Sequence, residues 1–261
     1  MDVIPLSSTA QIATLAADAI EALVRAKPDA VLGLATGSTP LPVYQELISR
    51  HRNGTAPSYE RVQTFNLDEY VGLPDGHEQT YRATIHRELT DALGIDRSRV
   101  HGPDPDPRRL PSAGERYEQE IRNRGGIDLQ ILGLGSNGHL AFNEQGSSLA
   151  SLTRIKTLTE RTRKDNARFF GSIDAVPRHV LTQGIATIMR ARHLVLLVSG
   201  SGKADALAAT VEGPVSASCP GSALQLHPHV TVLLDAPAAA ALKRLDYYQE
   251  VYAYKPPWQA L

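Results

Sequence analysis

Short apolar runs rich in strand-forming residues alternate with longer stretches of helical periodicity along this chain, and that alternation narrows the fold class before any single residue is considered. The apolar runs are residues 30–35 (AVLGLA), 61–67 (RVQTFNL), 128–133 (DLQILG), 193–199 (HLVLLVS) and 230–234 (VTVLL). Ser7, Ser8 and Thr9 offer an N-cap to a helix carrying Ile12, Leu15, Ala16, Ile20 and Leu23 at helical spacing. Pro40 and Pro42 open a second helix, with Tyr44, Leu47 and Ile48 on one face. Further helices are expected over 77–93, 112–124, 161–170 and 177–190, with an alanine-rich one after residue 234, while Pro103, Pro105 and Pro107 mark an irregular loop. Strand alternating with helix implies an α/β fold: an open, mostly parallel, Rossmann-like sheet with helices on both faces. The chain has 261 residues, 42% of them hydrophobic, and shows no repeat, low-complexity tract or linker, so it reads as a single domain spanning 1–261.

Charge and cysteine content exclude several classes of function. The 27 basic and 28 acidic residues give a formal net charge of -1, and no basic run could track a phosphate backbone. Nucleic acid is therefore not an expected partner, and a small neutral or anionic substrate is. Cys219 is the single cysteine, which rules out internal disulfides and cysteine-rich metal sites and suits a reducing cytoplasm. The first residues, MDVIPLSS, lack a signal-peptide pattern, and no 18 apolar residues run together, so no membrane association is expected.

The chemically rich segments all follow predicted strands. Thr36, Gly37, Ser38 and Thr39 follow the first, Asp68 and Glu69 the second, Asn137 to His139 the third, and Ser199 to Lys203 the fourth. In open α/β sheets ligands bind in the crevice beyond those carboxyl ends. The densest segment is LGLGSNGHLAFNE at 132–144, where a glycine-rich turn presents Asn137, His139 and Glu144 within eight residues. Glycine allows the sharp turn and close approach to a ligand, and histidine titrates nearest to working pH.

Two nucleotide-binding patterns fail on inspection. Residues 133–138 match GxGxxG after a strand, yet no long amphipathic helix follows and no acidic residue ends a strand about 20 residues on. Gly200-Ser201-Gly202-Lys203 ends like a Walker A loop, but Leu197 stands where the first glycine belongs and Ala204 where the magnesium ligand belongs. His227-Pro228-His229 has no carboxylate or cysteine at ligand spacing and reads as surface histidines, so no metal site is expected. A monophosphate site survives. Small residues and hydroxyls at Gly37, Ser38 and Thr39 precede a helix start, where free amides and the helix dipole favour an anion. Arg168 and Lys203 are the cations placed to neutralise it.

At this point the residues resemble a family. LATGSTP (34–40), FNLDEYVGL (65–73), LGLGSNGHLAFNE (132–144), SSLASLTRIKTLT (147–159) and LQLHP (224–228) closely resemble the glucosamine-6-phosphate deaminases, in order and over nearly the whole chain. The 6-phosphogluconolactonases are similar in the phosphate loop but lack the combination of FNLDEYVGL with NGHLAFNE. The resemblance implies conversion of glucosamine 6-phosphate and water to fructose 6-phosphate and ammonium, with no metal or organic cofactor. Many members carry Asp where Asn137 stands and others Asn, which leaves Asn137 as an orienter of His139.

The residue types suit that chemistry. Opening the sugar ring moves a proton from the anomeric hydroxyl to the ring oxygen, a task for a near-neutral imidazole, His139, oriented by Glu144 and Asn137. Isomerisation needs a carboxylate that takes the C2 proton and returns it to C1. Asp68 is the expected base and Glu69 the alternative, because neighbouring side chains of an extended segment point opposite ways. The resemblance further implies that Ser147, Arg154 and Lys156 bind the phosphate of an activator, N-acetylglucosamine 6-phosphate, between subunits of a homohexamer. On a strand, Arg154 and Lys156 would share a face. A lactonase of the same fold and a non-catalytic sugar-phosphate sensor are the competing readings.

Overall fold

The computed structural model describes residues 1–74, 76–256, 258–259 and 261, with the side chains of Arg161 and Asp165 outside the description. Strands β1 (Asp2–Leu6), β2 (Val31–Leu34), β3 (Gln63–Asn66), β5 (Val100–His101), β6 (Leu129–Gly133), β9 (His193–Val198) and β10 (Val230–Asp235) form a seven-stranded sheet in the order β1-β10-β9-β6-β2-β3-β5. Every pairing in it is parallel, with Val31 opposite Gln63, Leu32 opposite Leu129, Leu129 opposite His193 and Leu194 opposite Val230. β9 and β10 are buried at every residue, which explains their largely apolar sequences, broken only by His193, Thr231 and Asp235. From β2 the chain runs outward through β3 and β5, then returns to β6 on the other side of β2 and runs outward through β9 and β10. The strand order therefore reverses between β2 and β6, and a crevice opens beyond their carboxyl ends.

Helices flank the sheet. α1 (Thr9–Ala26) starts at Ser8, whose side chain accepts from the Gln11 amide, and it buries Ile12, Ala16, Ile20 and Val24. α2 (Leu41–Arg52) buries Val43, Tyr44 and Leu47. α3 (Tyr81–Ile85) runs on into a π-turn at His86–Thr90. α4 (Leu110–Asn123), α5 (Glu160–Phe170), α6 (Ile185–Ile188), α7 (Ala204–Val211) and α8 (Leu245–Ala253) complete the set. One large hydrophobic core joins α1, α2 and the seven strands.

Three further strands were not separated from their surroundings by periodicity. β4 (Asp68–Val71), β8 (His179–Thr182) and β7 (Arg154–Thr157) form a small antiparallel sheet in the order β4-β8-β7. It carries its own cluster of Tyr70, Leu158, Val176 and Val180, against which Tyr81, Phe142 and Phe170 pack. The helix expected over 177–190 is thus a strand, a turn and the short α6. Its turn residue is forced: a Cβ on Gly184 would lie 2.1 Å from the Ser151 carbonyl oxygen. The helix expected at 77–93 begins only at Tyr81, where Thr80 caps it by accepting from the Ala83 amide. The alanine-rich helix is a single 3-10 turn, Ala238–Ala241. β1 also went unanticipated because it contains Pro5, which an edge strand tolerates. His227 is not a surface histidine, whereas His229 is exposed as expected. His227 is buried with Nε2 2.8 Å from the Ala191 carbonyl, and the His229 ring stacks on His193 at 3.7 Å. Among the described residues no helix is long and apolar enough to cross a membrane.

Candidate active site

The loops leaving β2, β6 and β9, with β4 and α5, enclose a cleft of about 490 Å³. Gly37, Ser38, Thr39, Asp68, His139, Arg168 and Lys203 all line it. At one wall the chain turns at Gly37 (φ 94°) and enters α2, whose first amides have no side-chain cap. Pro40 and Pro42 lack an N–H, so the Leu41 and Val43 amides and the Ser38 and Thr39 hydroxyls are the donors at this helix start, where the dipole favours an anion. Lys203 reaches the same cleft from a 3-10 turn (Ser201–Lys203). Burial holds its ammonium below the usual lysine range, a penalty that a bound anion would reverse. The loop carrying Lys203 is pinned by Asp235, which the sequence reading missed. Ser199 Oγ donates to Asp235 Oδ2 at 2.5 Å, and the Gly200 amide donates to Oδ1 at 3.0 Å. Arg168 is exposed, with its guanidinium 4.7 Å above the Phe169 ring.

His139 stands on the opposite side of the β2–β6 boundary. Its Nδ1 lies 2.6 Å from Asn137 Oδ1 and 3.4 Å from Glu144 Oε2, and Asn137 Nδ2 donates to the same Glu144 oxygen at 2.9 Å. Thr162 Oγ1 donates to Glu144 Oε1 at 3.2 Å. Since Asn137 Oδ1 and the carboxylate can only accept, Nδ1 carries the proton and Nε2 is the basic nitrogen. The neighbouring imidazole first, and then the Asn137 and Thr162 bonds, hold the Glu144 carboxyl down at about 2 against the resistance of partial burial. Gly135 makes room for the ring, because a Cβ there would sit 2.3 Å from His139 Cε1.

Asp68 and Glu69 open β4 and face opposite ways. Asp68 lines the cleft and is 6% exposed. Burial, reinforced by the neighbouring Glu69 charge, pushes its carboxyl well above the usual range. Glu69 does not line the cleft. Its Oε1 accepts from the Tyr70 and Tyr81 amides at 2.9 Å each, and its Oε2 from the Arg82 amide at 3.0 Å, so it ties β4 to the start of α3. Tyr70, Tyr81 and Phe142 add an aromatic wall that sequence reasoning did not anticipate, since each comes from a different segment.

Ser147, Arg154 and Lys156 lie outside this cleft. Ser147 is buried, and among the described residues its hydroxyl has no hydrogen-bond partner. Arg154 and Lys156 share one half-buried face of β7, and Arg154 Nη1 donates to Asn143 Oδ1 at 2.9 Å. Among the described residues no group of three or more His, Cys, Asp or Glu is placed to hold a metal ion.

Residues 6–233 match the family described as glucosamine-6-phosphate isomerases/6-phosphogluconolactonase. The chain belongs to this family. It is 58% identical over 261 residues, and over the full length of both chains, to the glucosamine-6-phosphate deaminase of Arthrobacter sp. (strain FB24). Among solved structures it is similar to a monomeric glucosamine-6-phosphate deaminase, with 41% identity and a TM-score of 0.88 over 92% of this chain and 100% of that one. A 6-phosphogluconolactonase from Trypanosoma cruzi shares the fold at 21% identity, with a TM-score of 0.74 over 93% of this chain and 97% of that one.

Proposed function

We propose that this chain, acting as one domain over residues 1–261, converts glucosamine 6-phosphate and water to fructose 6-phosphate and ammonium. The observation that carries this reading is the pairing, across one cleft, of a buried carboxyl at Asp68 with the oriented His139–Glu144 pair. A lactone hydrolase has a use for an imidazole there. The carboxyl pushed upward at Asp68 is what a C–H deprotonation needs, since a stronger base abstracts more readily.

The steps follow from the residues. The substrate phosphate sits on Gly37, Ser38 and Thr39 with Lys203 and Arg168. His139 Nε2 takes the proton of the anomeric hydroxyl and returns it to the ring oxygen, opening the ring, while Glu144 and Asn137 hold the imidazole and stabilise the charge it carries between the two transfers. Asp68 then removes the C2 proton while the substrate's ammonium gives a proton to the C1 carbonyl oxygen, forming an enolamine, and the Asp68 carboxyl delivers the C2 proton to C1. The C2 imine so formed adds water and expels ammonia. Purified protein given glucosamine 6-phosphate should release ammonium in a one-to-one ratio with fructose 6-phosphate. Acid release from 6-phosphogluconolactone without ammonium release from the amino sugar would overturn the assignment.

We extend the proposal to regulation. Ser147, Arg154 and Lys156 are read as the phosphate contacts of an activator, N-acetylglucosamine 6-phosphate, in a homohexameric, cytoplasmic enzyme. The unpartnered Ser147 hydroxyl and the two cations on one strand face support it. The monomeric relative makes a monomer the alternative. Sedimentation at assay concentration, with and without the activator, decides between them.

A further inference from the structure

The turn between His139 and Glu144 is held under strain. Ala141 has φ 50°, and it is the one described residue other than glycine in the left-handed region, a conformation that costs an alanine on the order of 1 kcal/mol. The turn closes by a backbone bond from the Asn143 amide to the Leu140 carbonyl at 3.0 Å. The Asn143 side chain, fully buried, completes the closure. Its Nδ2 donates to the Leu140 carbonyl at 3.0 Å and to the Gln183 carbonyl at 2.8 Å, which uses both N–H groups. Its Oδ1 accepts from Arg154 Nη1 at 2.9 Å, the one donor among the described residues that meets it. The amide orientation is set by this network, because the reverse would put an oxygen against two carbonyls and an NH2 against a guanidinium.

Arg154 is itself anchored. Thr153, the residue before it, donates from its amide and hydroxyl to the buried Glu118 carboxylate of α4 at 3.0 and 2.6 Å. A Cβ on Gly114 of α4 would lie 2.2 Å from the Thr153 carbonyl oxygen, so helix and strand backbone are in direct contact there. The guanidinium is thus delivered from a fixed strand to the one side chain that closes the strained turn. Resting on the reading of residues 137–144 as the catalytic loop, we infer that Arg154 is a positioning residue for turnover: through Asn143 it keeps His139 and Glu144 in register, with no activator bound.

The test is steady-state kinetics on the full chain with glucosamine 6-phosphate and no N-acetylated sugar phosphate. Arg154→Met keeps the apolar stem and removes the donor. It is expected to lower kcat about 10- to 100-fold, because misplacing a catalytic group by about 1 Å costs that much, and to leave KM within about threefold since the phosphate cradle is untouched. Arg154→Lys can still donate to Asn143 Oδ1 and should recover kcat to within about fivefold of the parent. A purely structural residue would show its loss in melting temperature and not in this split. Equal kcat in the Met and Lys variants, or a loss confined to KM, overturns the inference. His139→Gln, run alongside, separates the two readings: turnover retained there defeats the catalytic loop itself, whereas a dead His139→Gln with a fully active Arg154→Met defeats only the positioning role.

Discussion

Replacing Glu144 with Gln removes a charge while preserving shape, and its cost can be worked from the site. The carboxyl is held at about 2 against an ordinary 4.5, chiefly by the His139 imidazole. At about 1.36 kcal/mol per pH unit, the gap corresponds to about 3.4 kcal/mol. The side chain is one-quarter exposed, at 25%, and screening by water removes roughly half of that, leaving about 1.5–2 kcal/mol. The sign follows from linkage. A carboxyl whose folded value lies below its unfolded one contributes stability that is complete above pH 4.5 and is lost as the pH falls toward 2. Glu144→Gln should therefore be less stable than the parent by about 1.5–2 kcal/mol at pH 6, or about 3–8 °C in Tm for a domain of this size. That difference should shrink as unfolding is measured at successively lower pH. Turnover at pH 7 should fall about 10- to 100-fold, because the imidazole loses the partner that orients it. A parent–variant difference that stays flat from pH 6 to pH 2.5 would refute the charge-based account of the pair.

Three other substitutions test the site. Asp68→Asn should retain phosphosugar binding yet lose exchange of the C2 proton with deuterated water, and normal exchange would remove Asp68 from the mechanism. Because burial raises the Asp68 carboxyl above its unfolded value of 3.8, it contributes stability below that pH which is lost as the pH climbs through the folded value. The uncharged Asn variant should accordingly gain on the parent as the pH rises above 4 in chemical denaturation. His139→Gln should impair ring opening and leave the affinity for an open-chain substrate analogue nearly intact; equal loss for closed and open analogues would make His139 structural. Gly135→Ala drives a Cβ into the His139 ring and should cost about 1–3 kcal/mol of stability along with about 10²-fold in kcat, and a variant with parental kinetics would show that the ring is free to move.

What the sequence determined by itself is local. Alternating apolar runs and helical periodicity identify a parallel α/β sheet, since strands buried on both faces are nearly continuously apolar, as 194–198 and 230–234 are apart from Thr231. Glycines, hydroxyls and titratable groups at strand ends identify the crevice, because that is where a parallel sheet presents its loops. The tertiary structure alone decided the rest. Nothing in the dipeptide Asp68-Glu69 says which carboxylate faces the cleft; the pairing of β4 with β8 and the amides of Tyr70, Tyr81 and Arg82 decide it by claiming Glu69. The spacing of residues 177–190 does not separate an extended 179–182 from the short helix after it, and only a partner strand on each side of β8 makes 179–182 extended. Asp235 pins the Lys203 loop from 36 residues beyond Ser199, and Arg154 meets Asn143 across two segments whose spacing carries no periodic signal. Periodicity reports which face of an element is buried. It carries no record of which distant side chain arrives there, because that is set by how the elements pack.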